Sequence, residues 1–463
     1  MIIEKWANHV VETNFTELDV DTIESAKLRI IDVVGCMVAG ANAPGCNGLL
    51  DLMKEWDGAP QATVVVHGIK APAHNVAMLN SIMARSYDFG PVIPYVEGKP
   101  LPGHISESTI PTALSVAEWQ KRTGKEFLTA LILGDDIIAR VMAACDRVVP
   151  GGWEMTGIEN VFGTSVIAGK LLGLTSSQLV YAFGIGLNQM GGTMQNIYDG
   201  AMTFKFPQGL SARAGVFSGE LAKKGYLAIK DSLFSKYGFF PLYYPNLKKE
   251  ILTRDLGKKY YSDSCFKIFP SCGATQATIE CALNLVREHE ISANDIKSII
   301  IEVTPSHLSQ PLGQPFKIGE FPQGDAAFNL YYVAANVLLR KDLTLEHYTD
   351  QMVRDPNILD LTQKTTILGT FPDSKHTTIA RLTVKMKDGR EFQSFVDGPR
   401  GSPLAKPITR NEIEVKFKNN LAFTKNFFKT KAEEILEMIY NLEKVDDISQ
   451  LMSLLISPRR TAL

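Results

Sequence analysis

The sequence predicts a mainly α protein with an α+β part: a large helical domain formed by both chain ends, and a smaller α+β domain inserted between them. Three observations predict it. Apolar residues recur every three or four positions from the start to about residue 260, β-branched runs appear only after Cys265, and helix spacing returns beyond residue 403. At 463 residues the chain exceeds what one hydrophobic core usually supports, and its 45% hydrophobic residues suffice for two units.

The first region, 1–265, reads as helices with one buried stripe, as in TIESAKLRIIDVVGCMVAG and HNVAMLNSIMARSYDF. Its breaks are short and rich in Gly and Pro: NAPGCN, the loop GPVIPYVEGKPLPG, VVPGGWEMTG and FPQG. The region 266–399 changes texture. IKSIIIEV and IARLTVKM are strand-like, and KDGR supplies a hairpin turn before EFQSFV. ATIECALNLVREH and DAAFNLYYVAANVLL keep the helical period, the second with Asp325 as its expected N-terminal cap. Over 400–463, NEIEVKFKNNLAF and KAEEILEMIYNLE have helix spacing again and are expected to rejoin the first domain.

A formal net charge of −2 exerts no global pull toward nucleic acid, so no nucleic-acid partner is expected. The longest apolar stretch, FLTALILGDDIIARVMAA, is interrupted by Asp135 and Asp136, and a membrane helix needs roughly 20 apolar residues; no membrane span is expected. Six cysteines lack CxxC spacing and MIIEKWANHV has no signal-peptide core, which points to a reduced cytoplasmic protein. The same scatter argues against an iron–sulfur centre. Apart from His104, the histidines (His9, His67, His74, His289, His307, His347 and His376) show no metal-ligand spacing, so no metal is expected.

Asp88 in ARSYDFG and His104 in PGHIS flank one long loop. A carboxylate and an imidazole facing a common pocket can move a proton on and off carbon. The plain alternative is that Asp88 caps backbone and His104 starts a helix. In FKIFPSCGATQATIECAL, Lys267 and Cys272 bracket a turn into a helix whose first amides can hold an anion; a solvated lysine and a packed cysteine are the plain alternatives. DGAMTFKFPQGLSARAG places Lys205 before a Gly-containing helix, without the order of a phosphate loop.

In order and spacing these segments, together with VFGTSVIAGKLLGLTSSQLVYAFGIG and PFKIGEFPQGDAAFNLYYVAANVLL, resemble the MmgE/PrpD family over nearly the whole chain. That family includes 2-methylcitrate dehydratases, cis-aconitate decarboxylases and iminodisuccinate epimerases. The resemblance implies a helical domain with an inserted lid, a cleft site, a homodimer, and no metal or cofactor. It also implies site positions at Asp88, His104 and Lys267, with Cys272 where some members carry histidine. Departures accompany the likeness. Glu154 stands where histidine is usual, Phe204 stands at the family lysine with Lys205 one position on, Pro207 stands at a histidine, and Gln276 replaces another.

The function implied is a cofactor-independent lyase, a dehydratase or decarboxylase, that abstracts a proton next to a carboxylate of a small polycarboxylic acid. Asp88, His104, Lys267 and Glu154 are the catalytic candidates; Lys205, Cys272 and Gln276 are the substrate-binding ones. The alternatives are an epimerase of the iminodisuccinate type on the same scaffold, and a non-catalytic binder of small carboxylic acids.

Overall fold

In the computed structural model the described residues are 1–145, 151–244, 246–308, 311–373, 378–425 and 429–457. His376 and the first part of VVPGGWEMTG lie outside them.

The apolar periodicity of the first region folds as helices Val20–Gly40, Ala73–Arg85, Ser106–Gln120, Gly124–Ala144, Met155–Leu172 and Phe206–Lys223. Their ends follow local chemistry: Asp19 accepts the Thr22 amide, and Thr123 and Glu126 form a reciprocal capping box. Several are buried on nearly every side, including the helix that carries Asp135 and Asp136. Those acids are tolerated there because Arg29 Nη2 lies 3.0 Å from Asp135 and Arg140 Nε 2.7 Å from Asp136. Among the described residues no helix is long and apolar enough to cross a membrane.

The principal core draws on Ile3 through Phe266 and again on Ile413 through Leu455, so side chains from both halves of the sequence meet in it. A second core gathers Phe269 through Val396 and admits Phe204 from the helical part. It is built on a four-stranded sheet ordered Thr365–Gly369, Ile296–Val303, Ile379–Met386 and Glu391–Asp397. The second and third strands are antiparallel, with Ile301 opposite Leu382, and KDGR turns the third into the fourth. Helix Gln276–Glu288 packs on this sheet and helix Leu330–Arg340 packs on that helix, giving a mainly α molecule with an α+β part.

Three local features differ from the sequence reading. The loop between Asp88 and His104 contains a hairpin, Val92–Val96 against Lys99–Pro100, turned at Glu97 and Gly98. Both turn residues have positive φ, 51° and 75°, the requirement of a two-residue hairpin turn. Thr365–Gly369 adds a parallel edge strand that its five residues do not advertise. Asp325 does not cap one long helix. The chain forms Pro322–Ala327, breaks, and restarts at Leu330 with Asn329 accepting the Tyr332 amide, because an asparagine side chain competes with the helical backbone.

Candidate active site

Helix Ala73–Arg85 stops at Ser86, whose hydroxyl donates back to the Ile82 carbonyl, and Asp88 follows in the left-handed region with φ 47°. A non-glycine residue held there is disfavoured unless its surroundings impose it. The surroundings are a strand pairing. Val92 lies opposite Cys265 and Pro94 opposite Asp263, which brings the Asp88 turn alongside Lys267 although the two are far apart in sequence. On the other side of the hairpin, Asp263 Oδ2 accepts the amides of Ile105 and Ser106, each at 2.8 Å, and so fixes the start of helix Ser106–Gln120. Asn160 Nδ2 donates to the His104 carbonyl at 2.8 Å.

The result is a cluster of five groups. Asp88 Oδ1 accepts from Arg85 Nη1 and from Lys267 Nζ, and Lys267 Nζ also donates to the Asp88 carbonyl at 2.8 Å. His104 Nε2 lies 3.8 Å from Asp88 Oδ1, and its Nδ1 lies 2.8 Å from Glu107 Oε2. Arg85 Nη1 lies 3.7 Å from Glu107 Oε1. The carboxylate of Glu107 comes this close to the Asp88 turn because position 90 is glycine: a Cβ there would sit 2.7 Å from Glu107 Oε1.

Burial and charge set the protonation of each member. His104 is pushed down to about 4 by burial and by the Arg85 guanidinium, so its imidazole is neutral at neutral pH. Glu107 is opposed by burial, but His104 and Arg85 together hold it at about 2, a permanent carboxylate. Lys267 is pushed down to about 7 by burial and by Arg85. Side-chain exposure is 14% for His104 and 5% or less for the other four, so the imidazole is the member a small molecule can reach.

Asp88, His104 and Glu107 each offer one ligand atom within 4.8 Å of the others. That spacing is suited to a metal ion, yet in this arrangement Arg85 and Lys267 already supply the positive charge that Asp88 requires.

The other sequence candidates take different places. Cys272 is half-buried in the turn after Lys267, its amide donating to the Ala327 carbonyl at 3.1 Å. Gln276 spends its amide on the same turn, accepting from Phe269 N at 3.2 Å and donating to Phe269 O at 3.0 Å. Glu154 caps helix Met155–Leu172, accepting from Gly157 N at 3.0 Å and from the Thr156 hydroxyl. Lys205 is buried with its ammonium on the Pro44 carbonyl at 2.6 Å and the Ser86 hydroxyl at 3.2 Å. Phe204 stacks on Phe321 and meets Phe328 edge-on, while the Arg85 guanidinium lies 5.6 Å from its ring centre. Arg85, Glu107 and Asp263 were not singled out from the sequence. The first two had a signal, R-x-x-D at 85–88 and H-x-x-E at 104–107, spacings that bring side chains together over one helical turn. Asp263 had none.

Fold and cluster together define a mainly helical protein with an α+β part and a buried group of acids and bases. The chain belongs to the MmgE/PrpD family: residues 4–251 match the MmgE/PrpD N-terminal domain and residues 269–444 the MmgE/PrpD C-terminal domain. Asp88 and His104 fall in the first match, and Lys267 in the short interval between the two. Relatives include a cis-aconitate decarboxylase-like protein of Aspergillus oryzae, 24% identical over 97% of this chain and 96% of that protein. The human cis-aconitate decarboxylase is 24% identical over 99% of this chain and 95% of its own length. The mitochondrial 2-methylcitrate dehydratase of Yarrowia lipolytica is 23% identical over 74% of this chain and 67% of its own length.

Proposed function

We propose that this chain is a lyase, a dehydratase or decarboxylase, acting on a small polycarboxylic acid by removing a proton from the carbon next to a carboxylate. The observation that carries the reading is the His104–Glu107 pair, a neutral imidazole backed by a permanent carboxylate and open on one side. Nε2 presents its lone pair as the base, and the Glu107 carboxylate, 2.8 Å from Nδ1, stabilises by its charge the imidazolium that forms. Charge then develops on the substrate carboxylate, and Lys267 and Arg85 are the fixed cations available to oppose it. Asp88, already engaged by both, orients them rather than acting as the base. In a dehydration, Lys267 then returns a proton to the departing hydroxyl; in a decarboxylation no carbon-bound proton is taken, the electrons of the breaking C–C bond stay on carbon as carbon dioxide leaves, and Lys267 protonates that carbanion.

The test is incubation with a panel of small polycarboxylic acids in heavy water, followed by nuclear magnetic resonance. Loss of water or of carbon dioxide supports the lyase. Deuterium at carbon with inverted configuration and no loss identifies an epimerase, and binding without any exchange identifies a binder. His104→Gln is expected to lower turnover by about 10²–10⁴-fold, the usual contribution of a general base. Metal and cofactor independence belong to the same reading, since the two cations perform the charge stabilisation; turnover is expected to survive exhaustive chelation.

A homodimer is also part of the proposal, in a reducing, cytoplasmic setting suited to six cysteines that form no disulfide among the described residues. Helix Phe206–Lys223 exposes Phe206, Leu210 and Phe217 along one face, at 41%, 43% and 38%, an apolar stripe fitted to a second copy. Light scattering is expected to return twice the chain mass, and Leu210→Glu with Phe217→Glu to halve it.

A further inference from the structure

We propose that Lys416, anchored by Asp32, is a positioning residue that holds the Asp88 turn and the Lys267 strand at their working separation. The catalytic consequence rests on the acid–base reading above; the clamp itself does not.

Lys416 projects from the C-terminal helix Arg410–Phe423 and is buried. Its ammonium lies 2.6 Å from Asp32 Oδ1 and donates to the Phe89 carbonyl at 2.6 Å and to the Lys267 carbonyl at 2.9 Å. These three oxygens are the polar contacts of the ammonium, one an ion pair and two hydrogen bonds. Two of them are backbone atoms of the site: Lys267 itself, and the residue next to Asp88. The two segments are thus joined twice in opposite senses. The Lys267 ammonium grips Asp88, and the Lys416 ammonium grips the chain behind both.

This arrangement answers a problem in the cluster. Asp88 sits at a disfavoured φ, and its carboxylate must align two cations, so small slippage between the strands would misplace the groups that oppose developing charge. Errors of about 1 Å in such a geometry can cost about 100-fold in rate. Asp32, from helix Val20–Gly40, supplies the carboxylate that pairs with the ammonium in a buried place, and that helix approaches the C-terminal helix closely at Gly35, where a Cβ would lie 3.2 Å from the Phe417 ring. Lys416 also crosses the Phe89 ring at 3.9 Å and lines a cavity of about 540 Å³ between the C-terminal helix and residues 342–346, so its stem can change without steric conflict.

Three full-length variants test the clamp. Lys416→Met leaves Asp32 unpaired and is expected to lose stability, whatever the role of the pair. The double variant Asp32→Asn with Lys416→Met removes that penalty. It is expected to recover most of the thermal stability while kcat stays at least about tenfold down, KM changes less, and amide exchange rises in 86–92 and 264–270 alone. Recovery of both stability and kcat, with unchanged local exchange, would overturn the proposal and leave the pair a charge-balancing one. Lys416→Arg keeps the charge and the donors with altered reach, and covers the case in which the double variant does not fold: local exchange is expected to rise and the pH profile to shift, and a variant identical to the parent in both would count against the clamp. If the parent turns over no acid, the proposed reaction fails, yet amide exchange in the two segments still decides the clamp.

Discussion

Each of the five residues of the cluster is defined by what the others do to it. His104 is unprotonated at neutral pH because burial and Arg85 push it down where a free imidazole would be partly charged, and Glu107 is ionised because His104 and Arg85 hold it down against its burial. Lys267 works in the opposite sense, since the same burial and the same arginine ease its proton off near neutrality. The base must be neutral and the lysine charged. The profile of kcat/KM against pH is therefore expected to rise through about 4 as His104 loses its proton, and to fall above about 7 as Lys267 loses its own. Replacing Arg85 by methionine removes a neighbour that lowers both groups, so both limbs are expected to move to higher pH, measurable in the same assay. Asp88, His104 and Lys267 were legible as candidates through their residue types beside loops and turns. Their partnership was not, because Asp88 and Lys267 meet only through the pairing of strands Val92–Val96 and Asp263–Cys265.

Elements place these residues through backbone approach more than through side-chain contact. Helix Val20–Gly40 crosses Ala73–Arg85 so closely that a Cβ at Gly40 would lie 1.9 Å from the Met83 carbonyl oxygen. Backbone cannot yield there as a flexible side chain would. Gly40→Ala is expected to destabilise by about 1–3 kcal/mol or more and to lower activity by displacing Arg85, checked by chemical denaturation beside a rate measurement. The helices themselves were legible, because apolar spacing and caps are local. The hairpin after Asp88 was hidden by its composition: Gly and Pro mark a break in helix without saying whether the chain then wanders or pairs. Glu154 caps Met155–Leu172 and Gln276 laces the 269–272 turn, and both roles depend on local hydrogen bonds that residue type alone does not choose.

At the scale of the whole molecule, Phe204 is one of the side chains that join the two larger cores. It belongs by sequence to the helical part and by packing to the second core, between Phe321 and Phe328 and under Arg85. Phe204→Ala is expected to cost about 3–5 kcal/mol and to loosen the second core from the first, readable as a split unfolding transition in calorimetry. Full-length similarity to decarboxylases, at 23–24% identity, fits a shared frame with altered equipment. By itself the sequence determined the mainly helical class with its α+β part, the family, and the acid, imidazole and lysine that enter the cluster, since each is written in local pattern or in residue type. The tertiary structure alone decided that Arg85 and Glu107 complete the cluster, that His104 is its open member, that Lys205 braces the Pro44 turn, and that Lys416 from the far end of the chain lies behind it all. Those facts depend on distances between segments remote in sequence and on the low polarizability of the buried space they enclose, which sets the charge of every group in it.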